Sequence, residues 1–308
     1  MVMLDQATEL RKLVLRSVRE TVPEGSPPPP LLVLCGGHSG VGVTTMAIQL
    51  SVALSSQGCR VVLVDADLHR PAVAAACGLS DDAGIADVLA ARRDIHEVLQ
   101  PGPSGVQVVA GGGTLGGAAP WGEVAQQRLF RQLQKLGRHA DLITLDAGSG
   151  GHEVMRRFWQ VADHVLLVTT PEPLAVMEAY ATLKRLAGLH PLAMLRLLVN
   201  RTADLQAAED VHRRVCEASE RFLELSVGLL GAVPDVAELA AGADATRGAA
   251  LLDAEHPASV VLDRIAARLV ASPLRPVAVT RAAETARIEP RNSAGLIQPR
   301  RGFPPIDV

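Results

Sequence analysis

Apolar residues recur along the chain in two rhythms, and the change between them divides it. From Leu4 to Arg19 they fall at Ala7, Leu10, Val14 and Val18, spaced by three and four with charges between them, which predicts one amphipathic helix. TVPEGSPPPP, residues 21–30, cannot continue that helix, because proline lacks an amide donor and fixes φ; it reads as an extended spacer that leaves the helix tethered. From Leu31 short apolar runs alternate with longer amphipathic stretches. The runs are LLVLC (31–35), RVVLVD (60–65), VQVVA (106–110), DLITLD (141–146), HVLLVT (164–169), LRLLV (195–199) and LLGAV (229–233). Strands that are apolar almost throughout, separated by helix-length segments, predict an α/β fold: a mostly parallel sheet with helices on both faces. A last helix over 257–271 brings Val261, Ile265 and Leu269 to one face, packed on the sheet. Beyond Ser272 the chain is rich in proline and arginine, with only Glu284, Glu289 and Asp307 as acids, and is expected to be a disordered tail. The expected division is a helix at 1–20, a linker at 21–30, an α/β domain at 31–272 and a tail at 273–308.

Composition narrows the function. With 48% apolar residues in 308, the chain can bury one large core. A formal charge of -3 gives no general basic field and so no strong nucleic-acid signal. No apolar run approaches the roughly 20 residues needed to span a bilayer. Cys35, Cys59, Cys77 and Cys216 form no CxxC pair, and with no secretory signal the expected location is cytoplasmic. Lysine is scarce: Lys12, Lys135 and Lys184 are all there are.

The segment LLVLCGGHSGVGVTT runs from a strand through a glycine-rich turn to threonines that open a helix. Backbone amides can curl around phosphate oxygens there, and the helix N-terminus favours negative charge. Against the pattern GxxxxGK[ST], the turn keeps Gly37, Gly42 and Thr44 but has Val43 at the lysine position. Asp65 and Asp67 follow one strand and Asp146 ends another, so all three are expected beside this loop, where carboxylates can hold magnesium and orient water. His152 with Glu153, and His69, lack metal-site spacing, and Ser149 lacks a hydrolase nucleophile frame.

Across residues 30–272 these motifs resemble the MinD/ParA group of P-loop ATPases, whose loop carries one lysine before the glycines and one after. The resemblance implies ATP or ADP with Mg2+ as ligand, cradled by Gly37, His38, Gly40, Val41, Gly42, Val43, Thr44 and Thr45. It implies Thr44, Asp65 and Asp146 at the metal, Asp67 positioning the attacking water, and Asn200 and Pro234 beside the adenine. His38 and Val43 occupy the two lysine positions. Valine offers no charge, and imidazole is ordinarily uncharged at neutral pH, so hydrolysis is expected to be very slow or absent.

At the amino terminus, Asp5, Gln6, Ala7, Leu10 and Arg11 fit DQAxxLR, similar to the activator helix of the FlhG-type flagellar-number regulators. That resemblance implies an FlhF-like SRP-type GTPase as partner, stimulated through Gln6, and a nucleotide-dependent homodimer. Such proteins usually end in a membrane-binding helix; the tail here shows no clear membrane-targeting helix, since Gly295, Leu296 and Ile297 are too short an apolar stretch. Two other functions stay open: an active MinD/ParA-type ATPase for intracellular positioning or partitioning, and a nucleotide-free scaffold.

Overall fold

The computed structural model describes residues 28–112, 122–149, 153–187, 194–236 and 256–271. The expected N-terminal helix, most of the proline spacer and the arginine-rich tail lie outside the described residues.

Eight strands form one sheet: β1 Leu31–Gly36, β2 Val61–Asp65, β3 Leu99–Pro101, β4 Gln107–Val109, β5 Leu142–Ser149, β6 His164–Thr169, β7 Met194–Thr202 and β8 Gly228–Pro234. Their order is β3-β4-β2-β5-β1-β6-β7-β8, parallel throughout except for the β3–β4 pair. The seven apolar runs are thus all strands. Short β3 has no apolar alternation and was not expected; it runs antiparallel along the edge of β4.

The helices are α1 Val43–Ser56, α2 Val73–Cys77, α3 Ile85–Leu89, α4 Glu123–Gln134, α5 Glu153–Val161, α6 Pro173–Leu186, α7 Leu205–Leu223 and α8 Pro257–Ala271. Because side chains alternate across a strand, β1 sends Leu31, Val33 and Cys35 to one face and Leu32 and Leu34 to the other. The first set packs with α4 to α7 through Leu129, Phe158, Trp159, Leu183 and Val211. The second packs with α1 and α8 through Met46, Leu50, Leu54, Leu262, Ile265 and Leu269. Both faces are therefore dry, and continuous apolar strands are what two covered faces require. Of the residues expected on the last helix, Ile265 and Leu269 are buried and Val261 is half-buried against the same cluster.

Parallel pairing brings the carboxyl ends of β1, β2, β5, β6, β7 and β8 to one edge of the sheet. Gly36, Asp65, Asp146, Asn200 and Pro234 all stand at or near those ends.

Candidate functional site

The chain leaves β1 at Gly36 and enters α1 at Val43, turning on two left-handed glycines, Gly40 (φ 87°) and Gly42 (φ 94°). Gly37 lies against the main chain of α6, where a Cβ would stand 2.5 Å from the Ala179 amide nitrogen. A Cβ on Gly36 would come within 2.7 Å of Val43 Cγ2 and 2.8 Å of Val41 Cγ2. These absent side chains let the loop rest on α6 while Val41 and Val43 turn inward. Val43 is 6% exposed and belongs to the core beneath the loop. His38, Thr44 and Thr45 are half-buried, and Gly40 is exposed. From the end of β7, Asn200 braces the turn: its Nδ2 donates to the Val41 carbonyl at 2.9 Å.

Asp65 and Asp146 are register partners on β2 and β5, and both are buried. Asp65 Oδ2 accepts the amides of Ala72 (2.9 Å) and Val73 (3.0 Å), and its Oδ1 accepts the amide of Asp67 (3.2 Å). Burial, with Asp146 alongside, raises its carboxyl well above the usual range, against the pull of those amides. Through these amides Asp65 anchors the 67–73 loop, and it stands in register with Asp146. The Asp146 carboxyl is raised to about 6, by burial first and by Asp67 last, while the Thr44 hydroxyl and the Gly148 amide work in the opposite direction. Its Oδ1 accepts the Gly148 amide at 3.0 Å; its Oδ2 is buried without a partner among the described residues.

Asp67 Oδ1 accepts the amides of His69 (3.2 Å) and Arg70 (3.1 Å). Its other oxygen lies over Gly148, in the space a Cβ there would need. Gly148 also has φ +66°, where the β1–β5 register shifts. A Gly148→Ala substitution combines left-handed strain with this collision and is expected to cost about 2–3 kcal/mol in urea denaturation. A loss below about 0.5 kcal/mol would show that Asp67 moves aside freely.

Among the described residues, no group of three or more His, Cys, Asp and Glu is placed to hold a metal ion. Magnesium asks for less, since it takes one or two carboxylates and completes its shell with water and substrate phosphates. The unpartnered, buried Asp146 Oδ2 near the Thr44 hydroxyl fits that donor set.

Beyond the loop a shallow cleft, open to solvent, is lined by Gly42, Thr45, Met46, Asn200, Arg201 and Pro234 among others. Asn200 and Pro234, expected together, do meet there. Arg201 was not singled out from sequence, although it directly follows Asn200. Gly148 was also missed, and only the GSG triplet after Asp146 hinted at it. Asp5, Gln6, Ala7, Leu10 and Arg11 lie outside the described residues.

A family model described as ParA, NUBPL iron-transfer P-loop NTPase, matches residues 30–270. The antiactivator FleN of Pseudomonas aeruginosa is 28% identical over 207 residues, covering 67% of this chain and 74% of FleN. The flagellum site-determining protein YlxH of Helicobacter pylori is 25% identical over 212 residues, 66% of this chain and 68% of YlxH. Among solved structures, the septum site-determining protein MinD of Pyrococcus horikoshii, complexed with Mg-ADP, superposes with a TM-score of 0.62 at 21% identity, covering 81% of this chain and 100% of that one.

Proposed function

Because the chain belongs to the ParA family of P-loop NTPases, as the match over residues 30–270 shows, we propose that it is an FlhG-like regulator that binds an adenine nucleotide with magnesium and hydrolyses it slowly or not at all. The slow-hydrolysis reading is supported by Val43, which occupies the position that the resemblance gives to a loop lysine and is a buried isopropyl group.

The amides of residues 37–45 cradle phosphate, with the left-handed glycines aiming them and the start of α1 favouring its charge. Thr44 and Asp146 would hold magnesium, which when bound would supply positive charge against the phosphates. Asp67, fixed by two amides and by its seat over Gly148, orients water. Asn200 and Pro234 take the base. His38 and Val43 leave the loop without a fixed cation, so binding energy comes from amides, metal and base pocket. Isothermal titration with Mg-ADP and Mg-ATP is the direct test: saturable heat supports the reading, and none would make the domain a nucleotide-free scaffold.

The flagellar assignment draws on the similarity to FleN and YlxH together with the DQAxxLR segment. In this reading Asp5, Gln6, Ala7, Leu10 and Arg11 present the helix to an FlhF-like GTPase, and nucleotide-dependent homodimerisation of the domain controls its presentation. Gln6→Ala is expected to remove at least about 90% of the stimulation of that GTPase, because a neutral carboxamide orients water without being charged. A phosphate-release assay with native and variant protein measures it; equal stimulation by both removes the flagellar reading while leaving nucleotide binding intact.

A further inference from the structure

The outer face of α4 and α5 concentrates charge of one sign. Between Gly122 and Ala140 the arginines and lysine are Arg128, Arg131, Lys135 and Arg138, and the acid is Glu123; between Gly150 and Ala162 Arg156 and Arg157 stand against Glu153. Spacings of three and four put Arg128, Arg131 and Lys135 along one side of α4 and the turn that follows it. The two helices lie side by side. Phe130 and Phe158 meet edge to face with 5.8 Å between ring centres, and Arg157 Nη2 stands 3.8 Å from Glu123. Arg131, Lys135, Arg156 and Arg157 are all exposed, so their charges share one surface.

That charge is poorly answered from within the chain. Arg60 meets Asp141 and Arg213 meets Asp210, each at 2.6 Å. Arg131 Nε, by contrast, reaches only the Gln127 carbonyl of its own helix at 3.4 Å, and Arg156 has no hydrogen bond or ion pair among the described residues. Like charges gathered on one surface repel one another, and an anionic partner relieves that cost. Between the cations stand the exposed carboxamides of Gln127, Gln134 and Gln160 and two exposed aliphatic chains, Val124 (67%) and Val161 (38%). A phosphate backbone rewards cations alone, whereas valines gain from an apolar side chain opposite them. The formal charge of -3 also favours a short acidic segment over a long polyanion, which would meet the acidic remainder of the chain. The chain's own tail does not complement this face, because the arginines of residues 273–308 outnumber Glu284, Glu289 and Asp307.

We propose that the α4–α5 face docks a short acidic segment of a partner protein, whose carboxylates pair with Arg131, Arg156 and Arg157 while apolar side chains between them cover Val124 and Val161. Arginine suits this role, since its planar fork accepts a carboxylate through two hydrogen bonds. The assignment uses no residue of the nucleotide site and stands whether or not nucleotide binds.

The test offers the full chain three probes: a fluorescein-labelled short peptide of glutamates interspersed with leucines, a labelled DNA duplex, and vesicles of phosphatidylglycerol in phosphatidylcholine. Anisotropy reads the first two and co-sedimentation the third. The peptide is expected to bind, and an Arg131→Glu, Arg156→Glu, Arg157→Glu triple variant to lose at least about tenfold in affinity. Arg156→Glu alone, which breaks no contact within the fold, is expected to lose about threefold. A control with the same change of charge on α7, Arg213→Glu, Arg214→Glu and Arg221→Glu, is expected to stay within about twofold of the native chain. Unchanged thermal melting confirms that the variants fold. Equal losses in the α4–α5 and α7 variants overturn the proposal, because a general field would then be at work, as does failure of the native chain to bind the peptide. Binding of DNA or vesicles in preference to the peptide overturns it too and gives the face to a polyanion.

Discussion

A His38→Lys, Val43→Lys double variant is expected to hydrolyse ATP at least about 100-fold faster than the native chain, since charge aimed at transferring phosphate contributes several kcal/mol in active sites of this kind. The rest of the proposed site is preformed: left-handed glycines shape the loop, Thr44 lies near Asp146, and Asp67 is held by the amides of His69 and Arg70. What the native loop lacks is a cation, for Val43 is buried beneath it and lysine is absent from residues 36–45. The two substitutions differ in cost. His38 is half-buried at the turn and accepts a lysine with little penalty, whereas Val43 packs towards Gly36, and losing that contact costs about 1 kcal/mol. Phosphate release at saturating Mg-ATP gives the comparison. Brisk turnover by the native protein, or no gain in a double variant shown to bind ATP, would mean that charge at these positions does not limit the reaction.

The sequence carried the sheet and the loop well, and for a physical reason. Strands covered on both faces must be apolar at every position, so LLVLC and HVLLVT stand out from any helix, and a glycine-rich turn between a strand and a helix has few other uses. Edge strand β3 was hidden because Leu99–Pro101 borders a sheet edge and needs no apolar face. Within the site, residue types were legible and partners were not. Asp65 was expected at the metal, and its acceptance of the amides of Ala72, Val73 and Asp67 could not be foreseen, because those contacts depend on how the 67–73 loop folds back. Asn200 looked like a base reader, and its donation to Val41 spans 159 positions, a separation no local pattern encodes.

Asp146→Asn is expected to stabilise the ligand-free protein while abolishing its magnesium-dependent response to nucleotide. Burial raises the Asp146 carboxyl from 3.8 to about 6, so at pH 7 the folded state carries a charge it holds less comfortably than the unfolded chain does. That difference, about two units, is on the order of 3 kcal/mol. The sign follows from proton uptake: between pH 6 and 3.8 the folded state binds more protons than the unfolded one, so Asp146 costs stability above pH 6 and the cost fades as pH falls towards 3.8. Asparagine removes the charge and keeps an oxygen for the Gly148 amide, so its advantage in urea denaturation should be largest at pH 7 and shrink by pH 5. Addition of Mg-ADP reverses the order. The native protein gains stability in proportion to binding, because its buried Oδ2 acquires a counter-charge, and the variant gains little. A variant less stable than the native chain at pH 7 would show that the carboxylate is needed for the fold, and a full magnesium-dependent gain in the variant would move the ion away from Asp146.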